Sequence, residues 1–256
     1  MVHIIPESGF ARTYLIEEDD GLMAVDVGSI GAAREVESYC TDVLGKSLRD
    51  IRFIAATHFH IDHIGGIGTL LKKCSPETKV LFHLLAKDYV EGKANLAPMR
   101  NWLSGLVPTI LRENYSGIGN LSHVSFESFA GIPLPGFRTM ERLPYADRVS
   151  YIDMQAALLS RTKFSDWEVI STPGHTPDSF SLYNWKTREL LCGDLILGKN
   201  NGTGCRNRFC WNKGLALDSF AMLKNIFSVR KIYPGHGNVI QDDEDAFAEV
   251  DSFTRK

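Results

Sequence analysis

An α/β domain is the fold class this sequence predicts, and three observations predict it. The first third of the chain alternates short apolar runs with stretches of helical spacing. Residues 51–56 are nearly continuous in apolar side chains, as in a strand buried on both faces of a parallel sheet. The chain has 256 residues, 44% hydrophobic and 23% charged, enough for a single domain over residues 1–256 with one large core.

The elements follow in order. Residues 11–17 and 22–27 are short β-type runs separated by Glu18-Asp19-Asp20-Gly21, a hairpin signal. Residues 30–44 place Ala33, Val36, Tyr39, Cys40 and Val43 on one helical face and stop near Gly45. The strand at 51–56 runs straight into His58-Phe59-His60-Ile61-Asp62-His63. Residues 64–73 read as a helix and 79–82 as another strand. From 84 to 165 the character changes. Residues 99–113 have helical spacing broken by Pro108, and 131–136 are Gly/Pro loop punctuation. This stretch has no metal-ligand set, and we read it as a helical insertion covering the active site. Strands return at 167–171, 180–183, 189–192 and 231–233. Helices are expected over 217–227 and 243–253, the latter opening on the acidic run Asp242-Asp243-Glu244-Asp245.

Composition excludes several classes. A net charge of −3 gives no global basic field for nucleic acid. No run of eighteen apolar residues is present, so no membrane span is expected. The N-terminus lacks a basic start followed by an apolar stretch, so no secretory signal is expected either. Five irregularly spaced cysteines read as free thiols in a reducing, cytoplasmic setting. The expected partner is a small-molecule substrate, with no nucleic acid and no membrane; a homodimer stays open.

The cluster His58-x-His60-x-Asp62-His63 carries the chemistry. With eight histidines in the chain, such a pattern arises by chance roughly once in two thousand sequences of this kind. Imidazole nitrogen and carboxylate oxygen suit zinc, iron, nickel and other divalent ions. His58 and His60, two apart in an extended segment, point the same way and can share an ion. Asp62 and His63 stand where the chain turns into a helix and can face a second one. Further donors are needed. His175 and His236 each sit on a Pro-Gly-His turn after a strand, and Asp194 ends another strand. His3, His83 and His123 lack such a setting and read as ordinary surface or core histidines. Lys199, Arg206 and Arg208 lie on a Gly/Asn-rich loop that either binds an acidic group or is simply solvated.

Five motifs together resemble the metallo-β-lactamase-fold hydrolases of the dinuclear type: Ala24-Val25-Asp26-Val27-Gly28, Thr57-His58-x-His60-x-Asp62-His63, Thr172-Pro173-Gly174-His175-Thr176, Gly193-Asp194 and Pro234-Gly235-His236-Gly237. The resemblance covers most of the chain outside 84–165. It implies a four-layer αββα sandwich with the site at one sheet edge. It implies one ion on His58, His60 and His175, a second on Asp62, His63 and His236, and Asp194 bridging both. Asp26 has no ligand place in that pattern, and its expected role is to orient the cluster loop from behind. The implied cofactors are two divalent ions, zinc first, with iron, manganese and nickel open. Such a pair lowers the pKa of a bridging water, whose hydroxide is the nucleophile, while Asp62 both binds metal and orients the water or leaving-group proton.

The implied activity is cleavage of an ester, lactone or thioester bond in a small molecule. Resemblance to hydroxyacylglutathione hydrolases and to acyl-homoserine lactonases is partial. Little chain follows His236, and Leu197 stands where the lactonases carry a Tyr. Two other classes stay open: a phosphodiesterase on a small phosphodiester, and a mononuclear iron persulfide dioxygenase.

Overall fold

The computed structural model describes residues 1–6, 8–99, 141–153 and 164–251. The described residues form two units, one within 1–96 and 141–153, the other chiefly within 164–251.

The first unit is built on a six-stranded sheet in sequence order: β1 (Val2–Ile4), β2 (Tyr14–Glu18), β3 (Gly21–Val25), β4 (Ile51–Ala55), β5 (Lys79–His83) and β6 (Val149–Ile152). The β2–β3 hairpin turns on Asp19-Asp20, with Glu18 opposite Gly21. From β3 onward the strands run parallel. Parallel neighbours need crossovers. The crossover from β3 to β4 is α1 (Ile30–Ser38), whose N-terminus is capped by Ser29 accepting from the Ala32 amide and which buries Ala32, Ala33 and Val36. A single π-turn over Tyr39–Val43 extends it to Leu44, ahead of Gly45. The core gathers Leu22, Ala24, Ile51, Ile54, Val80 and Phe82 from the sheet with Val36, Cys40, Ile64, Ile67 and Leu70 from the crossovers.

The helix expected at 64–73 is two short pieces, α2 (Ile61–Ile64) and α3 (Ile67–Leu71). The break has a cause. The Gly66 amide donates to the Val27 carbonyl, outside any helix, at 2.9 Å. Two backbone segments stack here with no room for a side chain. A Cβ on Gly28 would lie 1.6 Å from the Asp62 carbonyl oxygen. Strands β3 and β4 thus end side by side, and the segments that leave them are clamped together.

Only the flanks of the stretch 84–165 are described. Leu84–Ala86 is a 3-10 turn and α4 spans Lys87–Val90. Val149–Ile152 pairs with β5, so the sheet gains a strand from a region read as insertion. The helical spacing at 99–113, with Trp102, lies almost wholly outside the described residues.

The second unit carries a five-stranded sheet ordered β13-β12-β9-β8-β7, from β7 (Trp167–Ser171), β8 (Phe180–Asn184), β9 (Glu189–Gly193), β12 (Lys231–Pro234) and β13 (Ile240–Gln241). A smaller sheet pairs β10 (Ile196–Gly198), β11 (Gly204–Arg206) and β14 (Val250–Asp251). Helix α5 (Lys213–Ile226), capped by the Asn212 side chain, packs Phe220 and Leu223 against Leu190, Ile196, Ile232 and Phe247. Strands β9 and β12 are parallel neighbours. The chain therefore leaves both at the same edge, with Asp194 following one and His236 the other.

Among the described residues 243–251 the expected helix does not form. Asp242 Oδ1 accepts from the amides of Glu244 and Asp245 at 2.8 Å each, which bends the acidic run into a turn. A 3-10 turn (Ala246–Glu249) follows, and buried Val250 then joins β11 as a strand. All five cysteines are buried thiols outside any disulfide. Burial pushes the Cys40 thiol up to about 12 and Cys74 to about 11. Among the described helices, none is long and apolar enough to cross a membrane.

Two outcomes follow. Gly28→Ala should destabilise the chain by about 3 kcal/mol, read from the urea midpoint, because neither clamped backbone can move aside. In the native protein a thiol reagent at pH 8 should react slowly, and unfolding in denaturant should release five titratable thiols.

Candidate metal centre

The first set of donors grows from the ends of β3 and β4. Asp26, the residue after β3, has a left-handed φ of 57°. Asp tolerates that region better than most residues. Its backbone is fixed from both sides: its amide donates to the Ala55 carbonyl at 2.9 Å, and its carbonyl accepts from Thr13 Oγ1 at 2.7 Å. The carboxylate turns back under the cluster. Oδ1 accepts from the Thr57 amide at 2.8 Å and Oδ2 from Thr57 Oγ1 at 2.9 Å. The same Oδ2 lies 3.0 Å from His63 Nδ1. One buried carboxylate therefore anchors both ends of the cluster.

These anchors have a consequence for the rings. The Thr57 hydroxyl gives its proton to Asp26, so at 3.1 Å from His58 Nδ1 it can only accept. His58 then carries its proton on Nδ1 and presents a lone pair at Nε2. That nitrogen lies 3.0 Å from His60 Nδ1. His63 Nε2 lies 3.8 Å from Asp62 Oδ2. His58, His60 and His63 are buried, and Asp62 is partly exposed. The donor atoms of His58 and His60, of His58 and His63, and of Asp62 and His63 fall within 4.8 Å of one another pairwise. The 3.0 Å between His58 Nε2 and His60 Nδ1 is close to the roughly 3.3 Å between two nitrogens bound to one tetrahedral zinc.

The second set lies at the edge of the five-stranded sheet. His175 follows β7 on the turn Pro173-Gly174. Gly174 has φ 143°, and a Cβ there would lie 2.3 Å from the Ala216 backbone, so only glycine lets this turn rest on α5. Ser219 Oγ donates to the Pro173 carbonyl at 2.7 Å and secures it. Asp194 follows β9 and His236 follows β12. His175 Nε2 and His236 Nε2 lie 3.4 and 3.3 Å from the same oxygen, Asp194 Oδ2. All three side chains are buried.

The donor chemistry fits a divalent cation. Buried imidazoles with one nitrogen engaged and the other turned towards a carboxylate or a second imidazole are the arrangement of metal-binding histidines. Buried carboxylates at Asp26 and Asp194 also call for nearby positive charge, which neutral imidazoles do not supply.

The supports of His175 were not marked in the sequence. Its Nδ1 lies 2.7 Å from the Phe209 carbonyl and 3.3 Å from Asn207 Nδ2, and the Trp211 and Asn212 amides bond to the carbonyls of this turn. They sit more than thirty positions downstream, and no spacing rule links them to it. Of the loop cations, Lys199 pairs with Asp251 and the Arg206 guanidinium stacks over Phe220 at 5.6 Å. His3 contacts Glu17 and Tyr39, and His83 caps the 3-10 turn after β5. His123 lies outside the described residues.

Comparison with known proteins agrees with this chemistry. The profile of the metallo-beta-lactamase superfamily matches residues 8–236, and the chain belongs to that superfamily. Its fold is the metallo-β-lactamase fold, which implies divalent-metal binding. The chain is similar to the beta-lactamase-like protein 2 homolog of Caenorhabditis elegans, 25% identical over 229 residues, which cover 90% of this chain and 56% of that one. It is 28% identical over 193 residues to the probable metallo-hydrolase YflN of Bacillus subtilis (strain 168), which cover 73% and 61%. The chain thus spans less than two thirds of the length of these curated relatives. Among solved structures, TTHA1623 in a di-iron-bound form shares the fold, with a TM-score of 0.55 and 19% identity over 90% of this chain and 89% of that one.

Asp26→Asn puts an amide donor where Oδ2 now meets Thr57 Oγ1 and His63 Nδ1. His63 is then driven to the tautomer with its proton on Nε2. Zinc affinity, measured by competition with a chromogenic chelator, should fall roughly 10- to 100-fold.

Proposed function

We propose that the chain is a metal-dependent hydrolase that cleaves an ester, lactone or thioester bond of a small molecule. The observation that carries this reading is the convergence of His175 Nε2 and His236 Nε2 on one oxygen of buried Asp194. The anchored cluster His58–His63 complements it. In the proposed centre His58, His60 and His175 would hold one divalent ion and Asp62, His63 and His236 a second, with Asp194 as a further ligand. Zinc is the proposed metal because all donors are imidazole nitrogen or carboxylate oxygen. Iron is its competitor, given the di-iron form of TTHA1623.

The chemistry such a pair supplies when bound is acidification of water near neutral pH and polarisation of the scissile oxygen. The protein's own groups do the rest. Asp62 is the partly exposed carboxylate of the set, suited to take a proton from the attacking water and pass it to the leaving group. Thr57 and Asp26 hold His58 and His63 in place before substrate arrives. Burial of the histidines keeps bulk water off them. The name of YflN, probable metallo-hydrolase, supports the class. The carboxylic-ester family rests on the apolar content of 84–165, including Met99, Trp102, Leu103 and Leu106. We further propose that this segment covers the site and selects the substrate.

The test is reconstitution with zinc, manganese or iron, followed by assay on esters, lactones, thioesters and a bis-aryl phosphodiester. Turnover of a carboxylic substrate should need about two metal equivalents per chain, stop with dipicolinate, and fall to background in Asp194→Ala. Trp102→Ala should lower it strongly. Cleavage of the phosphodiester alone, or one iron per chain with oxygen uptake, would overturn the reading.

A further inference from the structure

The His175 ring has two sides. Nε2 faces Asp194, and Nδ1 faces a short segment that follows β11. That segment runs alongside the turn before it: the Trp211 amide donates to the His175 carbonyl at 2.8 Å, and the Asn212 amide donates to the Gly174 carbonyl at 2.9 Å. The backbone of His175 is fixed by these bonds. Its ring is governed by something else.

The Phe209 carbonyl oxygen lies 2.7 Å from His175 Nδ1. A carbonyl only accepts, so this distance requires a proton on Nδ1. What aims that carbonyl is Asn207. Its own amide donates to the Leu195 carbonyl at 3.1 Å, anchoring it to the residue that precedes β10. Its Oδ1 accepts from the Phe209 amide at 2.9 Å, a side-chain turn spanning two residues. Because the Phe209 N–H is a donor, the oxygen must be on that side. The amide nitrogen of Asn207 therefore faces His175, 3.3 Å from Nδ1. A second donor at that place cannot bond to a protonated Nδ1, but it closes the position to water. Asn207 is buried, so the turn does not compete with bulk solvent.

We propose that Asn207 is a positioning residue for His175. Its side-chain turn presents the Phe209 carbonyl to Nδ1 and so reserves the Nε2 side of the ring for a metal ion. The inference rests on the reading of His175 as a metal ligand and extends it to a residue that touches no substrate.

Three variants and one spectroscopic measurement on the full chain test it. Asn207→Ala removes the acceptor of the turn, and zinc affinity by chelator competition should fall about tenfold. Asn207→Asp keeps an acceptor oxygen and should return affinity to within about threefold of wild type. The cobalt-loaded alanine variant should show a shifted visible absorption spectrum. In the metal-free wild-type protein, the 15N shift of His175 Nδ1 should be that of a protonated nitrogen, and in Asn207→Ala it should move towards a mixture. A merely structural role would lower the melting temperature of Asn207→Ala and leave affinity, cobalt spectrum and 15N shift unchanged; that result overturns the proposal. So does a lone-pair shift at Nδ1 in wild type, which needs no variant to fold, or equal loss in the Ala and Asp variants. His175→Ala separates the two readings. If it binds zinc as wild type does, the ligand assignment fails. If it weakens zinc while Asn207→Ala does not, only the present inference fails.

Discussion

The Asp26 carboxylate reaches from the end of β3 to the amide and hydroxyl of Thr57 and to the ring of His63. The first set of donors depends on this one group. Without it the two strand ends would share only main-chain bonds, and the imidazoles of His58 and His63 would be free to choose tautomers. Its cost is local. A non-glycine residue sits in the left-handed region, and a charge is buried. Both are held because the Thr13 and Ala55 bonds leave the Asp26 backbone no other conformation. The clamp of Gly28 on Asp62 serves the same end, since it seats the start of α2 directly against the β3 exit.

The second unit solves the same problem with different groups. A backbone carbonyl does the work, set by an asparagine turn, and the parallel pairing of β9 with β12 delivers Asp194 and His236 to one edge. For His58, His63 and His175 the outer ring nitrogen lies against a protein oxygen and the inner one faces its neighbours. That common feature is a property of coordination chemistry, because a ligand ring that can rotate or exchange tautomers binds a metal weakly.

Much of this was legible in the sequence, for physical reasons that can be named. The cluster His58–His63 is dense in a rare residue, and the strands before it are long apolar runs, so the β3, β4, β5, β7 and β9 segments were marked close to their observed bounds. Strand β6 escaped because Val149–Ile152 is a four-residue edge strand with little burial, surrounded by chain of different character. The final helix was misread because Asp242 spends its carboxylate on two amides of a turn, a choice that helix propensity does not encode. The anchoring of His175 by Asn207 and Phe209 was invisible, since a contact made through a backbone carbonyl leaves no residue type to recognise.

Charge gives the last step. The donor set contains the carboxylates of Asp62 and Asp194, with that of Asp26 directly behind, and its imidazoles are neutral when they bind metal. Under the proposed two-ion occupancy four positive charges would face these three carboxylates, leaving roughly one positive charge before a bound hydroxide is counted, in buried surroundings where such a charge is worth far more than in water. A neutral ester or thioester meets it without strong ground-state attraction. The oxygen that turns negative as the bond is attacked meets it with full effect, which is the differential binding that accelerates a reaction.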